Sequence, residues 1–255
     1  MNIINPRQYA TVTATSPAMT VGPKYSMAST AQVLQVFEGH GWLPVGYNEK
    51  RAKVEHRVGK QAHAVLLAHR DPGMQDGSTL PRILLKNSHD GTGSLQLLSG
   101  LYERICANGL IVGASAADVR ITHRSITEEK LVSGISRTVE SLNRAIGLVE
   151  RMRAVRLDRE QQLQLAARTI EMLWDGEQYS FNPSALLYNW RKEQQEPTLW
   201  NTFNTIQERV IRGGVRRLRA DGSRSTTRAI TSIDSNVKAN RTIWDVAESA
   251  LAVWA

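Results

Sequence analysis

A histidine and a carboxylate stand side by side in the string Asn87-Ser88-His89-Asp90-Gly91-Thr92-Gly93. Such a pair can exchange protons with a substrate, and Glu103 would add a third group able to help hold a divalent metal, as a nuclease or hydrolase needs. The glycines support a second account. Asp bonds its own backbone in turns and Gly accepts positive φ, so His89 and Asp90 can instead fix the geometry of a turn flanked by Gly91 and Gly93. The sequence favours this structural account, and no catalytic residue is assigned. A metal-dependent enzyme acting on nucleic acid through His89, Asp90 and Glu103 stands as the alternative. Nowhere does the chain carry a glycine-rich phosphate loop with its lysine, paired cysteines or an HExxH spacing, so no metal or cofactor is expected. His63 and His69 fall on one face of a predicted strand but ~20 Å apart at the usual rise, too far to share an ion.

The second chemistry is charge. The 255 residues carry a formal net charge of +8, and it is concentrated. Between Thr205 and Ile230 the seven arginines 209, 212, 216, 217, 219, 224 and 228 face only Glu208 and Asp221. A local basic stripe predicts a polyanionic partner, most simply nucleic acid, since guanidinium forks grip phosphate oxygens in pairs. Arg212, Arg216, Arg217, Arg219, Arg224 and Arg228 are therefore candidate contacts. No aromatic residue is interleaved between 204 and 243, so base stacking would have to come from Arg planes or from Trp42 or Tyr47.

The elements that must position these groups follow from periodicity. Residues 1–25 are small, polar and aperiodic, which predicts an arm or poorly ordered leader, or a segment packed on a neighbouring subunit. Ser29 or Thr30 caps a short helix stopped by Gly39. Alternation predicts strands over 49–58, 61–70 and 80–87, the first with a charged outer face of Arg51, Lys53 and Arg57, and the last with Arg82 and Lys86 on one side. Residues 71–79 form a hairpin loop. From Ser94 the spacing of Leu95, Leu98, Leu101, Tyr102 and Ile105 predicts a helix, closed by Asn108-Gly109, with Cys106 as a small core residue.

Downstream, Val132, Ile135, Val139, Leu142, Ile146 and Val149 recur in alternating steps of three and four, the seam of a helical hairpin or coiled coil, with Arg137, Arg144 and Arg151 pointing away from it. Asp158 with Gln161 caps a further helix to Trp174. Helices are expected from 183 to 195, from 198 to Gly213-Gly214, and from 241 onward. A flexible basic loop or hairpin lies over 215–228.

Two of these stretches carry a resemblance. NSHDGTG followed by CANGL, and LWNTFNTIQERVIRGG followed by KANRTIWDVAE, resemble the signature of a prophage- and plasmid-borne family catalogued as domain of unknown function 932. The match spans nearly the whole chain. More weakly, the order of helix, meander and helix, with Gly41-Trp42 opening the meander, resembles single-strand annealing proteins of the Red-beta and Erf type. That second resemblance implies homo-oligomeric rings or helical filaments, single-stranded DNA in a basic groove, and no catalytic residues. On this sequence the groove positions are Arg51, Lys53, Arg57, Arg82 and Lys86.

The expected architecture is α+β: an arm over 1–28, a core over 29–124 in which an antiparallel β-meander is backed by a central helix, and a mostly helical half over 125–255 with the basic loop at 213–230, packed on the core. Asn87, His89, Asp90, Gly91, Gly93, Asn108 and Gly109 form its structural motif. With no basic-then-apolar leader and no membrane-length apolar run, the expected location is the cytoplasm of a bacterial host, with no membrane partner. The expected function is ATP-independent annealing of single-stranded DNA. A regulator or host-interaction protein whose basic surface meets an acidic protein is a further class.

Overall fold

The computed structural model describes residues 2–71, 79–103, 118–124, 126–174, 176–188 and 196–255, the side chains of 79, 80, 101–103, 118 and 233 excepted. The chain divides into two compact units, residues 1–144 and 145–255.

In the first unit the alternating apolar residues build a five-stranded antiparallel meander, β1(Trp42–Glu49), β2(His63–His69), β3(Thr79–Asn87), β4(Leu95–Glu103) and β5(Asp118–Ile121), paired in chain order. Val65, Leu67, Ile83, Leu85, Leu95 and Leu97 fall on one face and are all 0% exposed. That face takes the helices. The helix α2(Thr30–Gly39), which follows the short α1(Ala10–Thr13), reaches it through Thr30, whose hydroxyl lies 2.8 Å from His63 Nε2. The long helix α3(Glu128–Ala154) reaches it through Gly134, where a Cβ would stand 3.2 Å from Val119 and 3.4 Å from Ile121 and Leu97. A glycine there lets the helix close on the sheet. Ala68, Leu84 and Leu98 on the opposite face are buried as well, so β2 to β4 read as nearly continuous apolar runs.

Several expectations are corrected here. The helix read from Ser94 is instead the strand β4, hydrogen-bonded to β3 from Thr79↔Glu103 to Lys86↔Gln96. Strand 49–58 is displaced: pairing in β1 ends at Glu49, and residues Glu55–Arg57 form a 3-10 turn with Val54 and Val58 left 43% and 64% exposed. Alternation without a partner or a buried face does not make a strand. The leader is no loose arm. Thr11 and Val12 are fully buried, Ile4 donates its N–H to Pro44 O, the ring of Tyr9 stacks on Tyr47 at 3.7 Å, and Arg7 grips Glu38 through two 2.8 Å bonds. Along α3 the buried line is Leu131, Ile135, Thr138, Leu142, Ala145, Val149 and Met152, one residue off the expected seam at every second position, and Val132 is exposed. Arg137, Arg144 and Arg151 do face solvent. Cys106, Asn108 and Gly109 lie outside the described residues.

The second unit is the helical one. Asp158 opens α4(Arg159–Leu173) with a reciprocal capping box to Gln161. Thr198 caps α5(Leu199–Arg212), its hydroxyl accepting from Asn201 N at 3.1 Å, an arrangement that stabilises a helix by about 1 kcal/mol. The last helix, α6(Ile233–Trp254), begins well before Arg241, and in place of a helix from Pro183 there is a 3-10 turn, Pro183–Leu186. The two downstream motifs pack on each other: Phe203 meets Trp244 edge to face at 5.8 Å, and Gln207 donates to Asn240 Oδ1 at 2.7 Å inside the α5–α6 interface. No helix of the described residues is long and apolar enough to cross a membrane.

Candidate nucleic-acid interface

The basic stretch begins where α5 must stop. Every residue of α5 is buried or half-buried, so the helix offers no exposed face. Gly213 and Gly214 both take φ near +73°, and a Cβ on Gly213 would stand 2.5 Å from the Arg228 carbonyl carbon. Only glycine fits there. The reversal lets Gly214 N bond Thr227 O at 2.8 Å and Thr227 N bond Val215 O at 3.0 Å, which closes the base of a hairpin. Its arms are β7(Arg216–Arg219) and β8(Arg224–Thr226). Its turn carries Asp221, which accepts from Ser223 N at 2.8 Å, and Gly222 at φ +78°, the Asp-Gly chemistry that tight hairpins favour.

A third strand, β6(Tyr179–Phe181), pairs with β7 and sorts the arginines by face. Tyr179, Phe181, Arg217 and Arg219 share one side. There the Arg217 guanidinium sits 3.6 Å from the centre of the Tyr179 ring, its Nε donates to Ser225 Oγ at 3.3 Å, and Phe181 leans on Trp174 at 4.7 Å. On the other side Arg216 and Arg224, both exposed, flank Leu218, which is 45% exposed, with Ser180 and Thr226 beside them. This side opens a hollow of about 920 Å³.

The remaining candidates are placed as follows. Arg228 is exposed just past β8, while Arg212 is tied to Glu208 at 3.0 Å. Arg51 and Lys53 are exposed beyond the end of the edge strand β1, and Arg57 is on the 3-10 turn, so these three do not share a strand face. Arg82 and Lys86 do share a face of β3, both half-buried. Trp42, 2% exposed, is closed to a base. Aromatic rings beside the basic hairpin come instead from β6. Sequence reasoning missed them because Tyr179 and Phe181 lie far from the arginines along the chain, and only the Tyr-Ser-Phe alternation hinted at a strand.

The His89 motif is built differently. Asn87 Nδ2 donates to Ala28 O at 3.0 Å and to Thr30 Oγ1 at 2.9 Å. The His63 Nδ1–H donates to Gln61 O at 3.0 Å, which leaves its Nε2 to accept from Thr30. His89, fully buried, donates Nε2–H to Thr11 O at 3.0 Å. Burial, with the neighbouring His63, pushes the His89 imidazole down to about 4, and burial lowers His63 too. Both rings are neutral braces joining leader, α2 and sheet. Asp90 closes its own turn by accepting from Thr92 N at 3.1 Å and Thr92 Oγ1 at 2.6 Å. Glu103 pairs with Thr79 at the end of β3 away from Asn87, roughly 26 Å along the strand at the usual rise, so His89, Asp90 and Glu103 do not converge. Among the described residues no group of three His, Cys, Asp or Glu is placed to hold a metal.

Comparison with known proteins places the chain. It is similar to UPF0380 protein YafZ of Escherichia coli (strain K12), 31% identical over 228 residues that cover 89% of this chain and 83% of that protein. It is similar to UPF0380 protein YfjQ of the same strain at 30% identity over the same lengths. No solved structure matches. Residues 18–244 match the family described as domain of unknown function (DUF932), which takes in the meander, the His89 turn, α5 and most of α6, and the chain belongs to that family.

Proposed function

We propose that this chain is a DNA-binding protein of a phage or plasmid, an ATP-independent single-strand annealing protein that works as an oligomer in the cytoplasm of its bacterial host. The observation that carries the reading is the β6–β7–β8 sheet, which sets Arg216 and Arg224 around an exposed leucine on an open face. Two cations about an apolar strip suit a single strand: the guanidinium forks take phosphates and Leu218 takes the face of an unstacked base. The aromatic residues on the opposite side hold Arg217 in place and stiffen the sheet. Such a protein needs no bond chemistry. It neutralises the backbone, presents bases and releases the paired product, with the salt dependence that counterion release dictates.

The test is stoichiometric annealing of two complementary labelled strands without ATP or divalent metal, with binding to single- and double-stranded DNA measured in parallel. Accelerated annealing and a preference for single strands support the reading. A divalent-metal requirement with strand cleavage would replace it by the nuclease alternative.

A further inference from the structure

The first unit holds a second cavity, of about 740 Å³, at the mouth of the His89 turn. It is made by the leader crossing the end of the sheet. Ala18 N bonds His89 O at 2.8 Å and Ser26 N bonds His123 O at 2.7 Å, so the segment between them is pinned at both ends. Tyr25 donates its hydroxyl to Ser88 O at 2.9 Å. Gly91, at φ +77°, lets the crossing come close, for a Cβ there would stand 3.0 Å from Val21 Cγ1.

What lines this cavity is rich in donors and in positive charge. Lys24, Arg57 and Arg124 border it against a single acid, Asp90, whose Oδ1 is already engaged by Thr92. His123, 7% exposed and stacked on Tyr25 at 4.7 Å, makes no well-aligned hydrogen bond at either ring nitrogen, the nearest candidate being the Ser26 backbone, and Arg57 Nε is buried without a partner. Unpaired buried donors cost free energy, and both residues border the same opening. Burial lowers the His123 pKa, so the ring is neutral and offers one N–H and one acceptor. The hydroxyls of Thr20 and Thr122 stand by.

We infer that this cavity binds a phosphoryl group, which accepts from Lys24, Arg57, Arg124 and the His123 N–H together. Its volume exceeds that of a bare phosphate and falls in the range of small-ligand sites, so the group comes either from a free nucleotide or from the phosphorylated end of a DNA strand. The inference is independent of the basic sheet, since it uses none of that sheet's residues.

The experiment follows the imidazole NMR signals of the six histidines in the full-length chain, with His123 assigned through His123→Gln. Inorganic phosphate, thymidine monophosphate, and an oligonucleotide with and without a 5′-phosphate are titrated in turn. A saturable shift of the His123 ring is expected with phosphate-bearing probes, weakened about tenfold in Lys24→Gln and in Arg57→Gln as charge-assisted bonds are lost. The same shift is expected to persist in Arg216→Gln/Arg224→Gln. Response to the mononucleotide assigns a free ligand, and response only to the 5′-phosphorylated strand assigns a strand end. A His123 signal unmoved by all four probes overturns the inference. So does a shift undiminished in Lys24→Gln, an exposed position whose replacement leaves the fold intact.

Discussion

His63 and His89 sit with ring centroids 5.3 Å apart inside the first unit, both neutral and both bonded, whereas the second unit spreads Arg216 and Arg224 over open sheet with water around them. The contrast is one of solvent. Burial disfavours the charged form, so the two buried rings stay neutral and serve as braces through the bonds they make, whereas the sheet arginines keep their charge where water can meet it. The histidine-rich motif, which invites a catalytic reading, is thus the part that holds the fold, and the plainer arginine hairpin carries the exposed chemistry.

Breaking the hairpin at its root should give the largest effect. Gly213→Val forces a branched side chain into positive φ and against the Arg228 backbone, with an expected loss of about 4 kcal/mol or more in chemical denaturation. Removing the brace comes next. His89→Ala leaves Thr11 O without its donor and opens a buried space, for an expected cost of about 3 kcal/mol, while the folded fraction keeps its affinity for single-stranded DNA.

Acid sharpens the same contrast. The folded His89 titrates near 4 against an ordinary value of 6.5, so the unfolded chain takes up the proton first as pH falls. Stability is therefore full above about pH 6.5 and is lost progressively from there down to about 4, roughly 2 kcal/mol by pH 5, with His63 and His123 shifted in the same direction. Thermal melts across that window should show the fall, and His89→Ala should flatten much of it. The smallest effect is expected from Tyr179→Leu, which removes the ring beneath Arg217 and costs about 1 kcal/mol in the same denaturation assay.

Much of this was legible in the sequence, and the failures have physical causes. The capped start of α4 and the glycine stop after α5 were readable because caps and positive-φ glycines act locally. The strand β4 was not. Leu95, Leu97 and Leu98 are all buried because β4 is covered on both faces, and a buried strand with leucines on both sides also satisfies helical spacing. The exposed arginines could be named from composition, but their sorting by face depends on β6, which pairs across a long stretch of chain. Nor does any local signal tell that Arg57 borders one cavity with His123 and the leader, since that cavity exists only once the leader folds back over the sheet.

The central claim is tested most directly by measuring single-stranded DNA binding of the wild type and of Arg216→Gln/Arg224→Gln across a salt series. The expected result is steep salt dependence for the wild type. The variant should lose about tenfold in affinity, and its salt slope should fall by about 1.4, the value for two lost phosphate contacts, with stability changed by less than about 0.5 kcal/mol. Binding of the variant indistinguishable from the wild type, or no binding by either at low salt, would contradict the account.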